Sequence, residues 1–195
     1  YLLLLLFTIA QMKGAFSAGK PAPAFVARIG PWFLLSSMAN GLWIIAWHAL
    51  QPLLSLAVML ALLGSLIRLY QALNEQAGAG EKYAVRLPIS GYLGWISVAT
   101  IANTAAVLVH YDWGGFGISP EVWTVAMIAV AALAGLFFLW KRSDVPYALV
   151  IIWALYGILA RTDAAQSPAI FYALLGGMIL QGMVSVARFP RWLKS

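Results

Sequence analysis

Seven long apolar runs, parted by short segments that hold nearly every charge, restrict this chain to one kind of fold. They are Tyr1 to Met12, Gly30 to Ala49, Pro52 to Leu73, Pro88 to His110, Val122 to Trp140, Val145 to Ala160 and Pro168 to Val186. Hydrocarbon offers no water to the backbone, so an uncharged run of about 20 residues is stable there only as a helix. A membrane barrel would alternate apolar and polar residues in short strands, and these runs are continuous instead. The composition agrees: 63% of residues are hydrophobic and 9% charged, against about half and a quarter in an ordinary soluble domain. The expected fold is all-α, a polytopic integral membrane bundle of about seven visible transmembrane helices. Tyr1 to Met12 is too short to span and lacks the basic start of a signal peptide, so it is read as the distal part of a truncated first helix. Prolines 31, 52, 88, 120, 146 and 168 fall at or near the starts of runs, where a missing N–H costs nothing.

The net charge of +6 gains its meaning from placement. With the helices alternating, Lys13, Lys20, Arg28, Arg68, Lys82, Arg86, Lys141, Arg142, Arg188, Arg191 and Lys194 fall on one side. That is eleven of the twelve basic residues. The other side holds Arg161 with Asp112, Glu121 and Asp163; Arg161 and Asp163 are expected to pair there. By the positive-inside rule the basic side, with the C-terminus, is expected in the cytoplasm or its organellar equivalent, with a bacterial inner membrane the favoured location. Charges spread over loops in this way are a topology signal and not a nucleic-acid surface, so no nucleic acid is expected as a partner. Arg68 stands one turn from its helix end, within snorkelling reach of the headgroups.

Chemistry-bearing motifs are scarce. There is no cysteine, no paired carboxylate, no phosphate-binding glycine loop and no HExxH. All six acids lie in loops or at helix ends, leaving no carrier for proton- or sodium-coupled transport. The segment Tyr111 to Glu121 is glycine-rich, aromatic and almost uncharged, and suits an interfacial cap.

Two runs carry an asparagine together with tryptophans at helical spacing. Ser36, Asn40, Trp43 and Trp47 recur at i, i+4, i+7 and i+11, and Tyr92, Trp95, Ala99 and Asn103 form a second such face. A neutral amide in mid-bilayer needs a partner or a lined cavity, so these two helices are expected to face each other or a common ligand. Trp47 also suits an aromatic belt, as do Trp32, Trp113, Trp123, Trp140 and Trp192 at helix ends. Trp43, Trp95 and Trp153 lie deeper, where helix packing competes with a ligand pocket. His48 and His110 end the same two helices. They read as interfacial histidines, with axial ligation of haem or chlorophyll the less favoured alternative, and no metal site is expected.

At these residues the chain resembles the TspO/MBR superfamily, the tryptophan-rich sensory proteins related to the mitochondrial translocator protein. Asn40 and Trp43 match an asparagine with a tryptophan three residues on in that family's second helix. Leu87-Pro88, Trp95, Ala99 and Asn103 resemble its Leu-Pro-x-x-x-Trp-x-x-x-Ala-x-x-x-Asn signature, with a longer step from Pro88 to Trp95. The resemblance spans roughly Tyr1 to His110. It implies a four-helix core over residues 1–121. Residues 122–195 would form a three-helix C-terminal extension, beyond the family's five helices, in one continuous membrane domain.

The resemblance further implies a pocket for a tetrapyrrole (a porphyrin, haem or chlorophyll-type pigment) or another flat hydrophobic molecule. Asn40, Trp43, Trp47, Tyr92, Trp95 and Asn103 would line it. The function expected is that of a sensory or binding protein. The alternative is a non-catalytic accessory subunit of a larger membrane complex, or a homodimer, with Gly176 and Gly177 allowing close helix contact. Porphyrin degradation has been attached to some family members. The pocket residues supply no carboxylate, lysine, cysteine or clear metal triad, so enzyme activity is not expected. Tyr92 as a proton donor, or a photochemical step between an excited porphyrin and Trp95, is the alternative.

Overall fold

The computed structural model describes Leu5, Thr8, Ile9 and residues 24–73 and 82–194, and all its regular elements are helical. In chain order they are α1 (Ala24–His48), α2 (Pro52–Ala72), a π-helical turn (Lys82–Arg86) running into α3 (Leu87–His110), and a 3-10 turn (Gly115–Gly117). Then come α4 (Pro120–Arg142), α5 (Val145–Leu159) and α6 (Pro168–Lys194). Five spans are long and apolar enough to cross a membrane: Ile29–His48, Pro52–Ala72, Lys82–His110, Pro120–Arg142 and Pro168–Lys194. The shorter α5, at 15 residues, reaches about 22 Å, less than the roughly 30 Å hydrocarbon core. Six of the seven expected runs are thus helices. The first, Tyr1 to Met12, lies outside the described residues apart from three helical positions.

Two boundaries differ from expectation, both at prolines. The helix expected from Gly30 starts at Ala24, which puts Pro31 in its interior. The last helix does not stop at Val186 but continues through Pro190 to Lys194. A mid-helix proline forfeits one backbone bond and bends the helix without necessarily ending it. The residues flanking both prolines are apolar or long-chained and continue the helix.

The chain divides into two compact units, with the cut inside α3: residues up to Ile96, and Ser97–Lys194. In the first, α1 packs on α2 through a tight connection. Leu50 takes a left-handed conformation (φ 53°), its N–H bonds Trp47 O at 3.1 Å, and Gln51 N–H bonds Ala46 O at 3.1 Å. Pro52 then opens α2, where its missing donor is harmless. Buried Met59, Leu62, Leu66 and Leu69 recur at three and four residues, the period of one helix face. Ser65, buried among them, is satisfied by donating to Leu62 O at 2.7 Å.

In the second unit α4, α5 and α6 pack pairwise. Ser143 reverses the chain with a left-handed conformation (φ 49°), and Asp144 caps α5 by accepting from Tyr147 N–H at 3.2 Å. Phe138 and Tyr147 stack across this turn with centroids 3.9 Å apart. Tyr147 Oη donates to Ser97 Oγ on α3 at 2.9 Å. The guanidinium of Arg188 lies 4.6 Å from the Trp140 ring centroid, so the C-terminal ends of α4 and α6 coincide and α5 runs back between them.

Gly177 allows close approach, since a Cβ there would stand 3.4 Å from Ala132 Cβ. A Cβ on Gly176 would meet open space. The expected Arg161–Asp163 pair is not formed among the described residues. Asp163 instead accepts from Ala165 N–H at 2.8 Å, closing the α5–α6 connection on itself. Large apolar side chains such as Ile45, Leu34, Leu133 and Phe137 stand exposed, as helices that meet lipid require.

Candidate functional site

The face of α1 singled out by its spacing is an edge between buried and exposed surface. Ser36, Ala39 and Ala46 are buried, Asn40 and Trp43 are half-buried, and Trp47 is 44% exposed. At about 100° per residue, Ser36, Asn40, Trp43 and Trp47 fall within roughly 60° of one another. Ala39 and Ala46 lie further round, toward the packed side. Ser36 is buried and donates its hydroxyl hydrogen to Phe33 O at 2.9 Å, so it has no donor left for a ligand. Trp43 and Trp47 stack, with centroids 6.1 Å apart and planes at 30°. The indole Nε1 of Trp43 is buried without a hydrogen-bond partner. An unmade bond from a buried donor costs about 1–3 kcal/mol, which marks this N–H as a position where an acceptor would be stabilised.

On α3 the expected face has two unlike edges. Asn103 is buried on the stripe of Ile89, Leu93, Ile96, Thr100 and Val107. Tyr92 is half-buried, and Trp95 is 45% exposed, roughly a third of a turn from the centre of that stripe. Asn40, Trp43, Trp47, Tyr92 and Trp95 belong to the first unit, and Asn103 to the second. Of the six, Trp43 and Trp47 are in ring contact.

His48 sits at the end of α1 with Nδ1 2.9 Å from Ile44 O, a contact in which the ring nitrogen must donate. His110 is exposed and meets Tyr111 edge-on, centroids 4.9 Å apart. Among the described residues no three His, Cys, Asp or Glu side chains gather as metal ligands.

The second unit contains a site that sequence reasoning missed. A cavity of about 480 Å³ opens where the end of α3 meets the start of α4. Asp112 and Phe116 both take left-handed backbone conformations (φ 48° and 54°), as do Gly115 and Gly117. This coils the loop back on itself. Ser119 caps α4, Pro120 opens it, and Trp123, one turn in, donates Nε1–H to Gly115 O at 3.0 Å. A Cβ on Gly115 would stand 3.2 Å from that nitrogen, so the close approach of ring and backbone depends on glycine. Trp113 then lies against Trp123 (5.0 Å, 58°) and edge-on to Phe116 (5.2 Å, 86°). Both tryptophans had the look of isolated belt residues. The available signal was the glycine-rich aromatic loop between them, which permits a tight return.

Compared with known proteins, residues 1–187 match the TSPO-like protein family, a stretch that continues beyond His110 through most of α6. No curated protein and no solved structure matches the chain. The match covers nearly the whole length, and a helical membrane bundle is the fold such a family requires. The chain belongs to the TSPO-like family and is a multi-pass integral membrane protein.

Proposed function

We propose that this TSPO-like protein binds a flat hydrophobic ligand, with a tetrapyrrole as the ligand class, in the manner of a sensory or carrier protein and without converting it. The observation that carries this reading is the buried, unpartnered Nε1 of Trp43 beside the stacked ring of Trp47. An indole face matches a planar macrocycle, and the orphaned N–H would donate to a carboxylate or carbonyl on its rim. Asn40, half-buried on the same face of α1, extends the polar edge. Indoles and amides supply ring contact and hydrogen bonds but are not ordinary axial ligands of haem iron, and no imidazole, thiolate or thioether stands among these residues, so a metal-free macrocycle suits them better than iron porphyrin. The basic loop pattern supports insertion in a bacterial inner membrane with the C-terminus cytoplasmic.

Titrating protoporphyrin IX against tryptophan fluorescence tests the reading. Saturable quenching that weakens in Trp43→Phe is expected; quenching that never saturates, or is unchanged in that variant, overturns it.

A further inference from the structure

The cavity between α3 and α4 lies in a different part of the chain from the Asn40–Trp43 face, and its chemistry is different. We propose that it is a separate binding site for the head of a cationic amphiphile, an alkylammonium group, with Asp112 as counter-charge and Trp113 as the aromatic face.

Four observations lead there. The volume, about 480 Å³, lies in the range of small-molecule sites. The N–H of Trp123 is already engaged by Gly115 O, so what that ring offers a ligand is its π-surface, and the Trp113 ring lies against it. Asp112 lines the cavity and has no cationic partner among the described residues. No lysine or arginine occurs from Leu87 through Trp140, while Asp112 and Glu121 flank the loop, so the side-chain charge that this stretch supplies favours a cationic head over an anionic one. Aromatic faces beside a carboxylate are how quaternary and protonated amines are held.

The remaining walls explain why the ligand would be an amphiphile. Leu108, Val109 and Met127 line the cavity on the side toward the spans, whereas Asp112 and Trp113 stand beyond the end of α3. A head seated at the aromatic rim can thus keep its alkyl chain against apolar helix surface. The loop is built before any ligand arrives, because its left-handed residues and the Trp123–Gly115 bond fix its course. Little ordering then remains to oppose binding.

The test uses the full chain in phosphatidylglycerol nanodiscs, with dodecyltrimethylammonium as probe and calorimetry corrected for protein-free discs. One saturable site is expected, weakened roughly five- to tenfold by Asp112→Asn and by Trp113→Leu. Asp112→Asn keeps the side-chain shape, so it remains informative if Trp113→Leu disturbs the loop. Dodecyl sulfate should not bind, and saturating protoporphyrin IX should not compete. Repeating the titration in phosphatidylcholine discs separates two sources of the same chemistry. Suppressed binding there identifies a choline lipid headgroup as the natural occupant, and equal binding identifies a free amphiphile. No saturable component, equal affinity in Asp112→Asn, or equal affinity for the sulfate overturns the proposal.

Discussion

The side-chain amide of Gln181 on α6 occupies the space into which a side chain at position 135 of α4 would project. Gln181 is fully buried, its Nε2 donates to Gly177 O at 3.4 Å, and its Oε1 has no partner. Gly135 therefore provides the recess that lets a polar side chain of mid-helix α6 lie flat between helices, where small residues commonly mediate contact.

Replacing Gly135 by alanine should force this amide out of its recess. A cost of about 1–3 kcal/mol is expected, seen as a lower midpoint in thermal or denaturant unfolding of the purified protein. The double variant Gly135→Ala with Gln181→Ala should recover most of that loss. Additive losses in the double-mutant cycle would show that the two residues do not interact.

Gly115→Ala should damage the aromatic loop by two routes. Its φ of 60° suits glycine, and the new Cβ would press on Trp123 Nε1. A destabilisation of about 1–2 kcal/mol follows from the backbone alone, and freeing the Trp123 indole should also shift the tryptophan emission spectrum. An unchanged spectrum together with an unchanged midpoint would contradict the Trp123–Gly115 contact.

Trp43→Phe separates ligand binding from packing. It keeps an aromatic ring and deletes an N–H that bonds nothing in the protein, so the relief of an unmade bond offsets the packing lost with the smaller ring and stability should change little. Protoporphyrin affinity should fall by roughly fivefold, the worth of one hydrogen bond of about 1 kcal/mol. A large drop in stability with unaltered affinity would assign the residue to packing.

Binding without conversion predicts that protoporphyrin incubated with the protein, in darkness or light, disappears no faster than free pigment. Absorbance spectra and mass spectrometry of the extracted pigment would check this. A defined product whose formation ends with Trp95→Phe would instead make the protein an enzyme.

Tyr147→Phe should leave the stack with Phe138 in place and remove only the bond to Ser97 Oγ. The expected cost is about 1 kcal/mol in unfolding, because Ser97 Oγ loses the donor it accepts from. No measurable change would indicate that the Tyr147–Ser97 bond contributes little to stability.

The membrane class and most helix boundaries are determined by sequence alone, because a long run without charge leaves the backbone no partners in hydrocarbon except its own. Pro52, Pro120 and Pro168 mark helix starts for an equally local reason. Pro31 did not obey that rule, and Pro190 did not end the last helix, since a proline inside a helix removes only one bond and the surrounding turns can carry it. The asparagine–tryptophan faces were likewise legible from spacing. The burial of Asn103 and exposure of Trp95 were not, because which side of a helix packs depends on its neighbours. Gln181 escaped notice although the reasoning applied to Asn40 fits it equally, and only its position opposite Gly135 reveals how it is accommodated. The cavity behind Trp113 and Trp123 was decided by tertiary structure: four left-handed residues turn the loop, and one indole–carbonyl bond closes it, a geometry that no periodicity encodes.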